Sequence, residues 1–438
     1  MISETQNEIE KSKTNYHKAQ AIVEFSLQSF PVEREEELDA ERVRERLKLE
    51  AKENLALLPG DFFARRREVE ITIVMLSYRR LDRTISAIKA LKENVGVPFK
   101  LLLVDNDSGP EARAKLNEVC AAHDFIELIL LEENLGCAGG RDYAMRRVQT
   151  HYAMLIDNDI EVLPGAVEHL LRCLETNPQA LAATGKVILP DGSIHLCGGG
   201  YRIEDGVLNF ELFGFGRRFE DWAGESGTCQ WVPGCLTLLR REALIDCPYD
   251  LGMRNYYEDL EWCYRLNQSG VGPGEGAFRR VVESVALHYH ETKDLNNSLP
   301  VEQRRKAAMK YIETIAYFYK IHGLVIPNIF NYVPELGAQS SPISRLSARL
   351  FLTLTNTQGT GWILEKWNSG ELVPLFSGGF GDEMGRQECK RKIAELEKSL
   401  AELEKTLKDI YQSKHWKLFD RYWRVRQSIL NLLPGGNG

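Results

Sequence analysis

The chain has no apolar run that approaches the roughly 20 residues of a membrane-spanning helix. Its first residues, MISETQNEIEKSKTNYHK, are polar and of mixed charge, so they lack the apolar core of a secretory signal peptide. Its nine cysteines lie scattered between Cys120 and Cys389 without a CxxC pair, which argues against a zinc site or a disulfide framework. These absences predict a soluble protein of a reducing compartment, the cytoplasm.

An excess of positive charge is also missing. The 63 acidic and 55 basic residues give a net charge of −8, which argues against non-specific binding of nucleic acid. The 438 residues are 43% hydrophobic. This length and composition are enough for a large core and about two to three domains.

Amino-acid composition and hydrophobic pattern divide the chain into four regions. Residues 1–68 are polar and helical in pattern, and we interpret their mixed charges as a solvated helix face. Residues 69–325 form the domain described next. Residues 326–385 are irregular and predict a linker with some helix, and residues 386–438 are helical again.

Apolar strands alternate with helical patterns in the second region. The runs ITIVML, KLLLV, IELILL and YAMLI each precede a segment with helical spacing of apolar residues. Such continuous strands indicate βαβ units and a mainly parallel sheet, so the predicted fold class is α/β. Sheets of this type bind ligands beyond the carboxyl ends of their strands.

Polar segments follow all four strands: SYRR, DNDSG, ENLGCAGGR and DNDIE. We expect the glycines of the third segment, Gly136, Gly139 and Gly140, to lie ahead of a helix with Arg141 beside them. Backbone donors at a helix N-terminus favour anions, which suggests a phosphate. No G-x-G-x-x-G follows the first strand, and this excludes a dinucleotide-dependent oxidoreductase.

The fourth strand ends in Asp157-Asn158-Asp159. Such residues are common caps where strands become loops, so a structural role is one interpretation. A metal site is the other, because Mg²⁺ takes one or two carboxylates together with substrate phosphates.

Two later segments carry further candidates. Glu258-Asp259 begins a predicted helix, where acidic residues also suit the helix dipole. His288 and His290 lie on one side of a predicted strand, as structural residues or as a third metal ligand.

The chain from about 69 to 325 resembles the family 2 glycosyltransferases, inverting enzymes of bacterial type with the GT-A fold. The matching elements, in order, are TIVMLSYRR, LLVDNDS, NLGCAGGRD, LIDNDIEVLPGAV, WVPGCLTLLRREA, YYEDLEWCYRLNQSG and LHYH. The resemblance implies transfer of a sugar from a nucleoside diphosphate to a hydroxyl acceptor, in the synthesis of a polysaccharide or glycoconjugate.

The resemblance also implies roles for individual residues. Asp105 would hold the pyrimidine of a UDP- or dTDP-sugar, with Tyr78 against it and Arg141 near the phosphates. The remaining substrate-binding candidates are the strand-end Arg79, the glycine-segment Gly139, Asp157 near the ribose or metal, and Trp231 and Gly234 of the WVPG turn.

Metal and catalysis complete the implied site. Asp159 and Asp157 would bind Mn²⁺ or Mg²⁺, and His288 rather than His290 would complete the metal site. Asp259 would be the catalytic base, with Glu258 beside it as the alternative.

Two departures from the family pattern touch the donor pocket. Arg79 replaces an Asn that often follows the tyrosine, and Asp142 replaces an Asn that often follows the arginine. The donor's identity therefore stays open.

Two other functions remain as alternatives. A nucleotidyltransferase that makes nucleotide-sugars would use the same fold type and metal, but SYRRLDRT lacks the glycine-rich loop that it needs. A catalytically silent scaffold would recruit partners through the tail.

The tail predicts a coiled coil followed by an amphipathic helix. Apolar residues at 3-4 spacing form a seam of about three heptads, a device for homo-oligomers or for packing on the chain itself. They are Ile393, Leu396, Leu400, Leu403, Leu407 and Ile410. After them, Lys414, Lys417, Arg421 and Arg424 form a basic stripe. Such a stripe beside aromatic residues favours peripheral contact with the inner face of a membrane, or burial against the protein.

Overall fold

The computed structural model describes residues 33–65, 68, 70–269, 276–289, 300–333, 336 and 342–370, with the isolated positions 387, 391, 394, 395 and 398. For 33–39 and 342–344 it describes the backbone alone. The chain divides into two compact units between Pro327 and Asn328, and each is described by itself. His290, the predicted coiled-coil seam and the basic stripe lie outside the described residues.

All strands in the described part of the chain belong to the first unit. In chain order they are β1 (Ile71–Ser77), β2 (Phe99–Asp105), β3 (Ile126–Leu130), β4 (Tyr152–Asp157), β5 (Ile160–Val162), β6 (Ala182–Ile188), β7 (Ile194–Leu196), β8 (Gly199–Glu204), β9 (Val207–Leu212), β10 (Gly227–Cys229), β11 (Leu236–Arg240) and β12 (Phe278–His288).

The main sheet has the order β10-β12-β6-β11-β4-β1-β2-β3, with β5 on β12 and β7 on β6. The half built from β3, β2, β1 and β4 is parallel, and β6 pairs with β12 in parallel. Between the halves, β11 runs antiparallel to β4 and β6. Strands β8 and β9 form a separate hairpin. The predicted α/β fold with a mainly parallel sheet is confirmed.

Helices cover the sheet and continue the chain. In the first unit they are α1 (Glu33–Leu55), α2 (Leu81–Asn94), α3 (Pro110–Ala121), α4 (Gly136–Met145), α5 (Ala166–Thr176), α6 (Arg241–Asp246), α7 (Glu258–Ser269) and α8 (Val301–His322), with short 3₁₀ turns at Phe219–Asp221 and Leu251–Met253. The second unit contains α9 (Ile329–Tyr332), α10 (Pro342–Gln358) and α11 (Thr360–Asn368).

Burial on both faces explains the continuous apolar strands. All seven residues of β1 are buried, because helices pack on either side of the parallel half. Helix α4 approaches β1 so closely that a Cβ at Gly140 would lie 2.5 Å from Leu76 Cδ1. The prediction that Gly136, Gly139 and Gly140 precede a helix is therefore wrong: all three lie within its first turns.

In the second unit, α10 and α11 pack through aromatic residues. The rings of Phe351 and Trp367 meet edge to face with centroids 6.1 Å apart, and both side chains are buried. Among the helices in the described part of the chain, none is long and apolar enough to cross a bilayer.

Candidate active site

The register of the parallel strands brings the predicted acidic residues to one edge. In β1, Ser77 is opposite Asp105 of β2, and Leu76 is opposite Asp157 of β4. Neighbouring strands are about 4.8 Å apart, so the backbones of Asp105 and Asp157 are roughly 10 Å apart across β1. This is the carboxyl edge at which open α/β sheets bind ligands.

Arg141 of α4 connects two acidic motifs that are far apart in sequence. Its Nη2 donates to Asp157 Oδ1 and its Nη1 donates to Glu258 Oε1, each over 2.6 Å. Arg141 and Glu258 are almost completely buried, whereas Asp157 is about one third exposed. The end of β4 and the start of α7 therefore share one site.

Burial and charge pairing have opposite effects on the pKa values of Arg141 and its acidic neighbours. Burial acts to lower the pKa of Arg141, but Asp157 and Glu258 outweigh it and the pKa is raised. Burial raises the pKa of Glu258 to about 7 although Arg141 opposes it. The pKa of Asp259 is also raised, again mainly by burial. Two acids that titrate closer to neutral pH are suited to general acid–base chemistry.

Asp259 is held against the turn before β11. Its Oδ2 accepts a hydrogen bond from the Gly234 backbone N–H over 2.8 Å, and its Oδ1 accepts one from Leu260 over 2.7 Å. A Cβ at Gly234 would lie 2.2 Å from Arg141 Nη1, so a larger residue there would displace the guanidinium. The glycine of the WVPG turn therefore leaves room for Arg141 between its two carboxylates.

A second cluster lies at Asp159. Its Oδ1 lies 3.3 Å from His288 Nε2, and its Oδ2 accepts a hydrogen bond from Arg80 Nη1 over 2.5 Å. Asp159 and His288 are both more than 90% buried. The strands bring them together, since His288 pairs with Ile160 between β12 and β5.

The Asp159–His288 pair fits a divalent cation in its donor chemistry. Two ligands of one Mg²⁺ or Mn²⁺ ion, each about 2.1 Å from the metal, lie about 3 Å apart, close to the observed separation. In the described part of the chain no set of three His, Cys, Asp or Glu side chains is arranged to hold a metal. A two-residue set suits a cation whose other ligands are substrate phosphates and water. Asp157 is oriented toward Arg141, and its role as a ligand stays a prediction.

Asp105 presents an unusual acceptor. Its side chain is fully buried, and Oδ2 accepts hydrogen bonds from Ser108 N and Arg113 Nε over 3.2 and 3.3 Å. Oδ1 is buried and accepts none. An unpaired buried carboxylate oxygen is costly, which points to a donor supplied by a ligand.

Tyr78 and Arg79 lie beyond β1 at the same edge. The guanidinium of Arg79 lies over the Tyr78 ring, 4.9 Å from its centroid, and both side chains are exposed. The Arg79 backbone N–H donates to Ser108 Oγ over 2.8 Å, which joins this loop to the end of β2. Arg79 and Arg80 have φ values of 58° and 46°, which are unusual for arginine and indicate local strain.

Two predicted substrate-binding residues are engaged in packing. Trp231 is 5% exposed and packs so tightly on Gly199 that a Cβ there would lie 2.2 Å from its Nε1. A Cβ at Gly139 would lie 2.9 Å from the Cβ of Leu135, the residue that precedes α4. Their contact with a substrate stays a prediction.

Residues 72–247 match the sequence model of the family described as Glycosyl transferase family 2. This stretch is a family 2 glycosyltransferase domain. It contains the ends of β1, β2 and β4, while α7 and β12 follow it along the chain. The predicted resemblance to this family is confirmed for residues 72–247.

Curated relatives of the domain are distant. A poly-beta-1,6-N-acetyl-D-glucosamine synthase of Staphylococcus aureus is 26% identical over 223 residues, which cover 46% of this chain and 51% of the relative. A teichoic acid poly(glycerol phosphate) polymerase of Staphylococcus epidermidis is 27% identical over 103 residues, 23% of this chain and 14% of the relative. The chain thus spans about half or less of the length of these relatives.

Solved structures similar to the chain include GalNAc-T7 with UDP, GalNAc and Mn²⁺, with a TM-score of 0.43 and 14% identity over 71% of this chain and 58% of that one. S. aureus TarS 1–349 gives a TM-score of 0.41 and 10% identity, over 77% of this chain and 92% of that one.

Sequence reasoning missed three residues of the glycosyltransferase domain's site. Arg80 bonds Asp159, Arg113 bonds Asp105, and His195 Nδ1 lies 2.9 Å from His288 Nδ1. The DGS turn after β6 is a signal for a hairpin that could have located His195. Arg113 lies eight residues after Asp105 on a helix with ordinary surface spacing, so its sequence position gives no comparable signal.

Proposed function

We propose that the chain is an inverting glycosyltransferase that moves a sugar from a UDP- or dTDP-sugar to a hydroxyl acceptor, with Mn²⁺ or Mg²⁺ as cofactor. The observation that carries this proposal is the bridge from Asp157 through Arg141 to Glu258, at 2.6 Å on each side. It joins the acids at the end of β4 to the acids at the start of α7. The reaction needs both sets close together, one beside the leaving diphosphate and one beside the attacking hydroxyl.

The choice of a pyrimidine donor rests on Asp105. Its buried, unpaired Oδ1 suits the imide N–H of uracil or thymine, which cytosine lacks. Tyr78 is exposed at the same edge and offers a ring face for the base. The strained loop at Arg79 and Arg80 adds Arg79 as a cation at the same edge, whereas Arg80 pairs with Asp159.

The reaction is a single displacement. The acceptor oxygen forms a bond to the anomeric carbon while the bond from that carbon to the diphosphate oxygen breaks, and the leaving diphosphate takes the electron pair. Asp259 accepts the acceptor's hydroxyl proton, a contribution of about 10²–10⁴-fold for a well-placed base. Direct attack inverts the anomeric centre and needs no nucleophile from the protein.

Other residues orient and stabilise these groups. Arg141 holds Asp157 and Glu258, and the Gly234 N–H fixes the Asp259 carboxylate. Asp159 and His288 would hold the cation, which when bound supplies charge neutralisation for the leaving diphosphate. Glu258, next to Asp259 and with a raised pKa, makes Asp259 a stronger base when both are ionised.

The acceptor is a glycan or a lipid-linked glycan in this proposal. The relatives named for a polysaccharide and a teichoic acid support it, although each match covers only part of the relative. Peripheral membrane contact and a homo-oligomer depend on the tail, outside the described residues, and both stay predictions.

The deciding experiment is a screen of UDP-, dTDP- and GDP-sugars for hydrolysis and transfer, with Mn²⁺ and with EDTA. We expect turnover of a UDP- or dTDP-sugar that EDTA abolishes. Thermal shifts give a second readout, since UDP should raise the melting temperature more than CDP does. A preference for GDP-sugars, or a rate that EDTA leaves unchanged, would contradict the proposal.

A further inference from the structure

His195 is a residue to which the proposed mechanism gives no role. It lies in β7, which forms a hairpin with β6 after the turn at Asp191 and Gly192. Asp191 Oδ1 accepts hydrogen bonds from the N–H and the hydroxyl of Ser193, and Gly192 has a φ of 84°. This turn chemistry returns the chain along β6 and brings His195 to the end of β12.

The contact between His195 and His288 is direct. Their Nδ1 atoms are 2.9 Å apart, and the ring planes are inclined by 36°. His288 is 5% exposed and His195 is half-buried, so protein rather than bulk water surrounds the contact. One of the two Nδ1 atoms must carry the proton of this hydrogen bond, because two unprotonated nitrogens at this distance would repel each other.

The position of that proton decides what His288 offers to Asp159. If His195 donates, a neutral His288 carries its proton on Nε2 and donates it to Asp159 Oδ1, 3.3 Å away. If His288 donates, its Nε2 has a lone pair facing the carboxylate. A lone pair beside a carboxylate is unfavourable unless a cation lies between them, and neutral imidazole is the form that binds metals.

We propose that His195 is the positioning residue for the metal site: it accepts a hydrogen bond from His288 Nδ1–H and so holds His288 in the tautomer whose Nε2 binds a divalent cation with Asp159. This inference rests on the metal dependence in the proposed function. Ligating histidines commonly donate their second ring N–H to a fixed acceptor, and loss of that acceptor weakens metal binding about 10–100-fold.

The test compares two substitutions that remove the imidazole. His195→Asn retains an acceptor oxygen on Cγ, where His195 carries Nδ1, whereas His195→Leu has no acceptor. The dissociation constant of Mn²⁺ is measured in the full chain, without a donor sugar, from the electron paramagnetic resonance signal of free Mn²⁺. His123→Leu is the matched control, since His123 is half-buried at the distant β3 edge.

We expect His195→Leu to weaken Mn²⁺ binding by about 10–100-fold and His195→Asn by no more than about threefold, with His123→Leu unchanged. The shift of melting temperature on adding UDP without metal should be the same in all four proteins. Equal Mn²⁺ affinity in His195→Leu and the unsubstituted protein would overturn the inference. Equal weakening in the Leu and Asn variants would overturn it as well, because a packing role would then be sufficient.

The proposed metal dependence has a separate outcome in the same measurement. If the unsubstituted protein does not bind Mn²⁺, the metal part of the proposed function fails and the role of His195 fails with it. If it binds Mn²⁺ and the variants do not differ, only the role of His195 fails.

Discussion

Two of the places in the first unit that bury charged side chains differ in the ratio of cations to anions. At the helix seam, defined here as the contact of α1 with the sheet, Arg44 pairs with Glu161 over 2.6 Å and Lys186 pairs with Glu50 over 2.7 Å. Each cation there has one anion. At the carboxylate cluster around Arg141, one guanidinium serves Asp157 and Glu258, with Asp259 adjacent.

The difference distinguishes ion pairs that stabilise the fold from a charged cluster that can take part in a reaction. A one-to-one pair attaches α1 to the sheet and leaves no charge available. The carboxylate cluster keeps more negative charge than Arg141 can neutralise, and burial then raises the pKa of Glu258 and Asp259. A protein retains such an unfavourable arrangement where a ligand or a reaction uses it.

The largest effect is expected at Asp159. Asp159→Ala removes one of the two residues proposed to hold the cation, and we expect kcat to fall by about 10³-fold or more while the circular dichroism spectrum is retained. Steady-state kinetics at saturating Mn²⁺ measure it. Glu161→Gln is the control two residues away, because Glu161 belongs to the helix seam and its change should alter stability rather than turnover. Similar kcat losses in the two variants would remove the distinction between the two places.

Asp259→Asn should lower kcat by about 10²–10⁴-fold, because the amide keeps the shape but cannot accept the acceptor's proton. Donor binding should persist, and titration with UDP followed by thermal shift measures it. An unchanged kcat would transfer the role of base to Glu258.

The pH dependence of kcat should reflect the raised pKa values of the buried acids around Arg141. Since burial raises the pKa values of Glu258 and Asp259, kcat should rise with pH through a limb that lies above the usual carboxylate range. Glu258→Gln removes the acid whose pKa is raised to about 7, so the part of the limb nearest to neutral pH should disappear. A limb that stays in place in this variant would show that Glu258 does not contribute to the pH dependence.

The pH dependence of the unfolding free energy is a separate test of the raised pKa of Glu258. The pKa of Glu258 is about 7 in the folded protein and about 4.5 in the unfolded chain, so the folded state holds the proton over that interval. Its contribution to stability is therefore complete below pH 4.5 and is lost as the pH rises through 7. Denaturant titrations from pH 5 to 7.5 should show this decline, and Glu258→Gln should reduce it.

The smallest effect on activity is expected at the helix seam. Glu50→Ala leaves the buried Lys186 ammonium without its carboxylate and should cost about 2–3 kcal/mol of unfolding free energy. Lys186→Met leaves only the one-third-exposed Glu50 and should cost less. Neither change should alter kcat by more than about twofold. Denaturant titration and kinetics of both variants measure this, and a large kcat loss would mean that α1 also shapes the active site.

Much of the fold followed from local pattern. The four apolar runs became β1 to β4, and the polar ends containing Asp105 and Asp157 lie at one edge because parallel strands present their carboxyl ends together. The antiparallel β11 between β4 and β6 was not predicted, since a buried antiparallel strand has the same apolar composition as a parallel one. Within α4, Gly140 lies against Leu76 and Gly136 lies against Arg254, and no local pattern contains these contacts.

The sequence by itself determined which residue types lie at the strand ends, because burial on both faces requires apolar strands and leaves polar chemistry to their ends. It thereby supplied the family resemblance and the candidates Asp105, Asp157 and Asp159. Only the tertiary structure decided that Asp157 pairs with Arg141, which also binds Glu258, and that Asp159 lies beside His288. Arg141 reaches Glu258 across 117 residues and His195 reaches His288 across 93, and such contacts depend on strand order and register, which are set by packing over the whole sheet.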